Sequence, residues 1–217
     1  MNDIRQYLRD LPVFAGDLPG FEPGNTPADP VSCFHGWLVG AVAAGVREPH
    51  AMTLSTLGED GIPSARVLLL KNVDEAGWQF AVHAASPKGR ELTANAVAAL
   101  TFYWPEQARQ VRVRGTVRAE SAESSAADFL ARSDGSRASA MSGLQSTPLD
   151  DLGSVDVSVK QALERLAQEP GLVVSEWSLC TLAPERVEFW QGDKDRKHTR
   201  VLYQRDGDAW TKQLLWP

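Results

Sequence analysis

The residues of this chain best suited to chemistry are cations, and they come in clusters. Arg66 opens and Lys71 closes the run Arg66-Val67-Leu68-Leu69-Leu70-Lys71, an apolar stretch with a positive charge at each end. Ser86-Pro87-Lys88 reads as an N-cap, a first-turn proline and a helix start, with Arg90 close by. Helix N–H groups beside two cations make a seat for a phosphate. In Arg109-Gln110-Val111-Arg112-Val113-Arg114, aliphatics alternate with cations, so a strand would present them on opposite faces. The run Asp193-Lys194-Asp195-Arg196-Lys197-His198-Thr199-Arg200 follows directly on Phe189-Trp190-Gln191-Gly192. Taken singly, each cluster is also what solvated strand ends, a surface helix start or a hairpin loop look like. Together, in a chain of net charge -6, they point to a small ligand bearing phosphate, gripped by Arg and Lys in a focused pocket.

Other chemistries lack their residues. There is no glycine-rich phosphate loop, no dinucleotide-binding fingerprint, no His-Glu-x-x-His and no serine in a nucleophile elbow. His35, His50, His83 and His198 have no metal-ligand spacing, so no metal site is expected. Cys33 and Cys180 lie far apart and read as buried small hydrophobes, which fits a reducing cytoplasm. A sequence pI near 5.3 argues against a broad basic surface for nucleic acid. No apolar run approaches the roughly 18 residues of a membrane span. The start, Met1-Asn2-Asp3-Ile4-Arg5, is not that of a secretory signal.

The elements that must position these groups follow from the patterning. With 217 residues, 43% of them hydrophobic, the chain can bury a sizeable core. Residues 1–28, broken by Pro12, Pro19, Pro23 and Pro27, form an extended arm that must dock to be ordered. Asp29-Pro30 starts a helix whose apolar positions Phe34, Trp37, Leu38 and Ala41 share a face, and Gly45 stops it. Strand-like runs follow at Ala51–Leu57, Ala65–Lys71, Trp78–His83, Val97–Trp104 and Gln110–Ala119. Helices are expected near Ser121–Ala131 and Ser154–Glu169, the second with Val155, Val159, Leu163 and Leu166 as its buried stripe. Strands close the chain at Trp177–Leu182, Arg186–Gln191, Val201–Arg205 and Ala209–Leu215, with Pro184-Glu185 and Asp206-Gly207-Asp208 as turns. The expected fold is mainly β with peripheral helices: one domain, 29–217, as a closed or split barrel. Seven Trp suggest interfaces or ligand walls.

In this order the motifs resemble those of the pyridoxine (pyridoxamine) 5′-phosphate oxidase family, FMN-dependent dimeric split β-barrels of Greek-key type. The likeness runs from about Asp29 to the C-terminus. It is carried by Arg66–Lys71, Phe102-Tyr103-Trp104, Arg109–Gly115, Gln145-Ser146, Val187-Glu188-Phe189-Trp190-Gln191-Gly192 and the pattern Arg196-x-His198-x-Arg200. The resemblance implies FMN contacts at Arg66, Val67, Leu68, Leu69, Leu70, Lys71, Lys88, Gln110, Gln145, Ser146, Trp190 and Arg200. It implies substrate contacts at Lys71, Arg132, Ser136, Arg196 and His198: the first three on the substrate phosphate, the last two against the pyridine ring. Arg196 and His198 are the expected catalytic pair, positioning the ring and taking up the proton. The flavin would lie at the interface of a homodimer, and O2 would be the final electron acceptor.

The chain also departs from that family. Where the family carries a Tyr reaching the substrate phosphate, this chain has Asp128; the cation pair at the FMN phosphate is reduced to Pro87-Lys88; and Leu214 falls where many members have an Arg near the terminus. The stretch His83–Leu92 resembles the phenazine-biosynthesis oxidases, which act on reduced tricyclic precursors. The expected activity is oxidation of pyridoxine or pyridoxamine 5′-phosphate to pyridoxal 5′-phosphate. The alternatives are a flavin oxidase of a reduced aromatic precursor and a non-catalytic FMN or pyridoxal-phosphate carrier.

Overall fold

A computed structural model describes residues 3–217. In chain order its helices are α1 (Ile4–Asp10), α2 (Pro30–Ala43), α3 (Pro87–Ala94), α4 (Ala122–Leu130), α5 (Asp134–Met141) and α6 (Gly153–Gln168). Its strands are β1 (Ala51–Leu57), β2 (Pro63–Leu69), β3 (Asn72–Asp74), β4 (Gly77–His83), β5 (Val97–Trp104), β6 (Arg109–Ala119), β7 (Trp177–Gln191), β8 (Thr199–Asp206) and β9 (Ala209–Leu214). The strand order is β2-β1-β5-β6-β7-β4-β3, with β8 added on β7 and β9 on β8. Two compact units divide the chain. One comprises the chain up to Met52 with Thr101–Val113 and Glu185–Pro217; the other comprises Thr53–Leu100 and Arg114–Pro184.

The first unit has an aromatic core. Asp29 caps α2 by accepting from the Ser32 N–H, and Pro30 sits at its first turn, as the sequence predicts. The helix then buries Phe34, Trp37 and Ala41. Phe34 meets Phe102 at 4.8 Å between ring centroids, Trp37 meets Phe189 at 5.1 Å, and Phe189 meets Tyr203 at 5.6 Å. The Arg109 guanidinium lies 4.3 Å from the Trp37 ring and donates to Gln191 and to the Gly20 carbonyl. The Tyr203 hydroxyl donates to the Pro27 carbonyl and Lys212 to that of Thr26, so the proline-broken segment is pinned through its backbone. That segment also holds the seven-residue helix α1, which the spacing of its prolines did not suggest.

The second unit pairs β4 with the first half of β7, in the register Trp78↔Leu182 to His83↔Trp177. The second half of β7, Arg186–Gln191, pairs with β8. The turn expected at Pro184-Glu185 is therefore absent: one strand passes through it. Pro184 has no N–H to give a ladder, and it falls where β7 changes partner and none is required. Gly77 (φ +138°) and Gly115 let the chain pass close by, since a Cβ on either would run into the Leu182 or Ala183 carbonyl.

Further differences concern the helices and tryptophans. Helix α5 falls in a stretch read as connection. On α6 the buried positions are Ala162 and Leu166, with Val159 packed beside them, whereas Val155 is 44% and Leu163 39% exposed. The covered face is the one that packs with Ala138 of α5, in a cluster completed by Met141 and Leu172. Trp37, Trp78, Trp104 and Trp177 are buried, so most of the tryptophan content builds core. Cys33 and Cys180 are free and buried, and burial pushes both thiols up to about 11, so neither is a ready nucleophile. Among the described residues no His/Cys/Asp/Glu group could hold a metal, and no helix is long and apolar enough to cross a membrane.

Candidate active site

In the second unit, β1, β2 and α3 converge on Arg66. Its guanidinium donates to the hydroxyls of Thr56 and Ser64 and pairs with Glu91 of α3 at 2.9 Å. Glu91 also accepts from Thr56. Arg66 is therefore a fixed cation rather than a solvated strand end. Ser86 caps α3 by accepting from the Gly89 N–H, and this places Lys88 in the first turn. Lys88 has no ion-pair partner among the described residues and donates only to Gln145 Oε1, at 3.3 Å. Burial lowers the Lys88 pKa, the neighbouring Arg66 lowers it further, and Glu91 opposes both. Two cations face one carboxylate here, with helix N–H groups alongside; these residues fit a phosphate. Arg90 is exposed and donates to the Ala85 carbonyl.

The Lys88 shift gives a pH dependence with a definite sign. A phosphate favours charged Lys88, so affinity for a phosphate-bearing ligand should fall as pH rises through its lowered pKa, earlier than an ordinary lysine would dictate. Between that pKa and the ordinary lysine value the unfolded chain binds the proton more strongly, so this group should make the apoprotein more stable as pH rises. Titration with a phosphate-bearing ligand and thermal unfolding across the alkaline range should therefore slope in opposite senses; parallel slopes would remove Lys88 from the seat.

A second cluster in this unit gathers Lys71, Asp128, Arg132 and Trp177. Lys71 lies past the end of β2 and pairs with Asp128 at 3.2 Å. Asp128 also accepts from the Trp177 indole N–H at 2.8 Å. The Arg132 guanidinium rests on the Trp177 ring at 4.0 Å, and its Nη1 is buried without a hydrogen-bond partner. Burial lowers the Arg132 pKa, with Asp128 opposing. Ser136 bonds to Ser133 at the cap of α5. Gln145 and Ser146, with Leu144, Leu149 and Val155, line a cavity of about 350 Å³.

In the first unit, Trp190 and His198 rings lie 5.0 Å apart, and Phe14 packs on both. His198 Nδ1 accepts from the Asp193 N–H at 3.0 Å, so the neutral ring carries its proton on Nε2. That tautomer makes Nε2 a donor, whereas proton uptake there needs a free lone pair. Arg196 is exposed, in the left-handed region at φ +64°. Arg200 is held by Glu188 at 2.8 Å and donates to the Trp216 carbonyl; Arg112 is also on Glu188, at 3.4 Å. Gln110 is half-buried on β6. Neither residue type nor spacing marks Glu91, Thr56, Ser64, Glu188 or Phe14 as site residues in the sequence. The one hint, for Glu91, is a carboxylate one turn after Lys88.

A family model described as pyridoxamine 5′-phosphate oxidase matches residues 38–165, and one described as the pyridoxine 5′-phosphate oxidase C-terminal dimerisation region matches 177–217. The chain is 42% identical over 192 residues to the pyridoxine/pyridoxamine 5′-phosphate oxidase of Burkholderia lata, covering 87% of this chain and 89% of that one. It is 37% identical over 215 residues to the enzyme of that name from Pseudomonas paraeruginosa, covering 98% and 96%. Among solved structures it is similar to PhzG from Burkholderia lata in complex with tetrahydrophenazine-1-carboxylic acid. The TM-score there is 0.84 at 30% identity, over 93% of this chain and 100% of that one. The fold is thus that of the split-barrel oxidoreductases. Within that class, the chain belongs to the pyridoxamine 5′-phosphate oxidase family.

Proposed function

We propose that the protein is an FMN-dependent oxidase of pyridoxine or pyridoxamine 5′-phosphate, forming pyridoxal 5′-phosphate as a homodimer. The observation that carries this reading is Arg132, a guanidinium lodged on Trp177 with Nη1 buried and unpaired. A withdrawn donor of that kind is costly unless a ligand supplies the acceptor, and a phosphate monoester supplies several. FMN, when bound, contributes the two-electron acceptor that O2 then reoxidises.

The chain's own residues do the rest. Arg66 and Lys88 hold the FMN phosphate; Val67 to Lys71, Gln110, Gln145, Ser146, Trp190 and Arg200 are the remaining FMN contacts. Lys71, Arg132 and Ser136 take the substrate phosphate. Arg196 and His198 orient the ring, with His198 donating from Nε2. Support for the homodimer comes from the match of 177–217 to a dimerisation region and from the apolar edge strand β2, where Val67 is 66% and Leu69 46% exposed. The domain assignment, an arm at 1–28 and one oxidase domain at 29–217, belongs to the same reading. Protein supplied with FMN should yield pyridoxal 5′-phosphate and H2O2 from at least one vitamer; no product from either would overturn it.

One observation favours a second substrate class. Asp128 already neutralises Lys71, which leaves Arg132 as the anion-binding group and suits a reduced aromatic carboxylate. Asp128→Asn separates the two. It keeps an oxygen for the Trp177 N–H and frees the Lys71 ammonium. For a phosphorylated substrate, KM should fall by roughly fivefold, equivalent to about 1 kcal/mol, with FMN affinity unchanged. An unchanged or higher KM for pyridoxine 5′-phosphate would favour the carboxylate.

A further inference from the structure

His83 ends β4 with its side chain only 3% exposed, and it is none of the flavin or substrate contacts assigned above. It takes three hydrogen bonds from the turn that starts α3. Its carbonyl accepts from the Ser86 N–H at 2.9 Å and from the Ser86 hydroxyl at 2.6 Å, and its Nδ1 accepts from the Ala85 N–H at 3.3 Å. The turn is drawn tight against α3: a Cβ on Gly89 would run into the His83 and Ala84 carbonyls. The far edge of the ring faces Gly143, at φ +64°, where a Cβ would lie 3.8 Å from both Cε1 and Nε2. Gly143 leads into Gln145 and Ser146, the latter also left-handed at φ +67°. One imidazole thus stands between the segment that carries Lys88 and the segment that carries Gln145, and those two side chains meet at 3.3 Å.

We infer that His83 is a positioning residue for the flavin seat: its neutral ring ties the cap of α3 to the segment 143–146 and so sets where Lys88 and Gln145 stand. This rests on the assignment of Lys88, Gln145 and Ser146 to FMN. Packing alone would be served by any ring of this size, whereas His83 commits the Nδ1 lone pair to a backbone donor. The neutral ring therefore carries its proton on Nε2, and a second proton enters only at Nδ1, opposite the Ala85 N–H. Charging the ring thus replaces a hydrogen bond by a donor facing a donor. The charged groups acting on the ring are Lys88 on α3 and Glu176 ahead of β7, while the segment 143–146 brings none. Burial lowers the His83 pKa, Glu176 opposes and Lys88 adds to the lowering, so the neutral form persists below the ordinary histidine range.

The test is the Kd of FMN from about pH 8 to about pH 5, by flavin fluorescence, for wild type, His83→Asn and His83→Phe. His83→Asn keeps an oxygen that can accept from the N–H two residues on, and it does not titrate. His83→Phe keeps a ring and loses the acceptor. At about pH 8, His83→Phe should weaken FMN binding roughly three- to tenfold, and His83→Asn by less than about threefold. The ratio of the wild-type Kd to that of His83→Asn should rise as pH falls; ionisation of the FMN phosphate is common to both and cancels. Either a flat ratio or wild-type affinity in His83→Phe would overturn the positioning role and leave the seat standing. A ratio that falls in acid would make His83 a direct partner of the phosphate, which overturns it too. A wild type that binds no FMN at any pH would overturn the flavin seat, and the role of His83 with it.

Discussion

Arg66→Ala is expected to weaken FMN binding by roughly 10- to 100-fold, while Arg90→Ala leaves it near wild type. A charge-assisted hydrogen bond to phosphate contributes roughly 1.5–3 kcal/mol, which sets the scale. The structure adds a second cause. Arg66 is the partner of Glu91, whose side chain is only 14% exposed. Without Arg66 that carboxylate turns on the seat, drawing Lys88 away from a ligand. The double variant Arg66→Ala/Glu91→Gln should therefore recover part of the loss, which a simple deletion of one contact would not allow. Arg90 is exposed and satisfied by a backbone carbonyl, so its removal takes away a screened charge. Flavin fluorescence titration of the variants checks this; equal losses for Arg66 and Arg90 would misplace the seat.

The second large effect is at Arg132. Arg132→Met keeps an unbranched stem on the Trp177 ring and removes the guanidinium. The value of kcat/KM for pyridoxine 5′-phosphate should fall about 100-fold, chiefly through KM, because a buried cationic donor to phosphate is lost. Stability should move the other way. The Arg132 side chain makes no hydrogen bond among the described residues and has a buried, unpaired Nη1, so the apoprotein should melt at the same temperature or higher. Activity lost together with stability would mean that Arg132 supports the fold instead. Steady-state kinetics and thermal unfolding of one preparation suffice.

Much of the fold was legible in local patterning. The α2 start at Asp29-Pro30, the strand Ala51–Leu57 and the alternation of Val111 and Val113 with Arg112 are set by capping and two-residue periodicity, which sequence displays directly. Passage of β7 through Pro184 was not legible, because a proline is tolerated there only thanks to the change of strand partner, a non-local fact. The α6 face was misplaced for the same kind of reason: the covered side is the one that packs with Ala138 of α5.

At the site, the cation clusters were visible as types and spacing, but their state was not. Arg66 is committed to Glu91, Arg200 to Glu188 and Lys71 to Asp128, pairings between residues 12 to 57 positions apart. Lys88 and Arg132 stay uncommitted, and these make the strongest claim on an anion. The tautomer of His198 likewise depends on the Asp193 backbone N–H. Residue type suggested a base at that position, whereas the loop geometry yields a donor.

The decisive experiment for the proposed oxidase adds pyridoxine 5′-phosphate to the FMN-loaded protein without oxygen and follows flavin absorbance. The flavin should bleach with formation of one pyridoxal 5′-phosphate per flavin, and admitting O2 should restore the colour. A flavin that stays oxidised with both vitamers, yet bleaches with a reduced aromatic carboxylate, would contradict it.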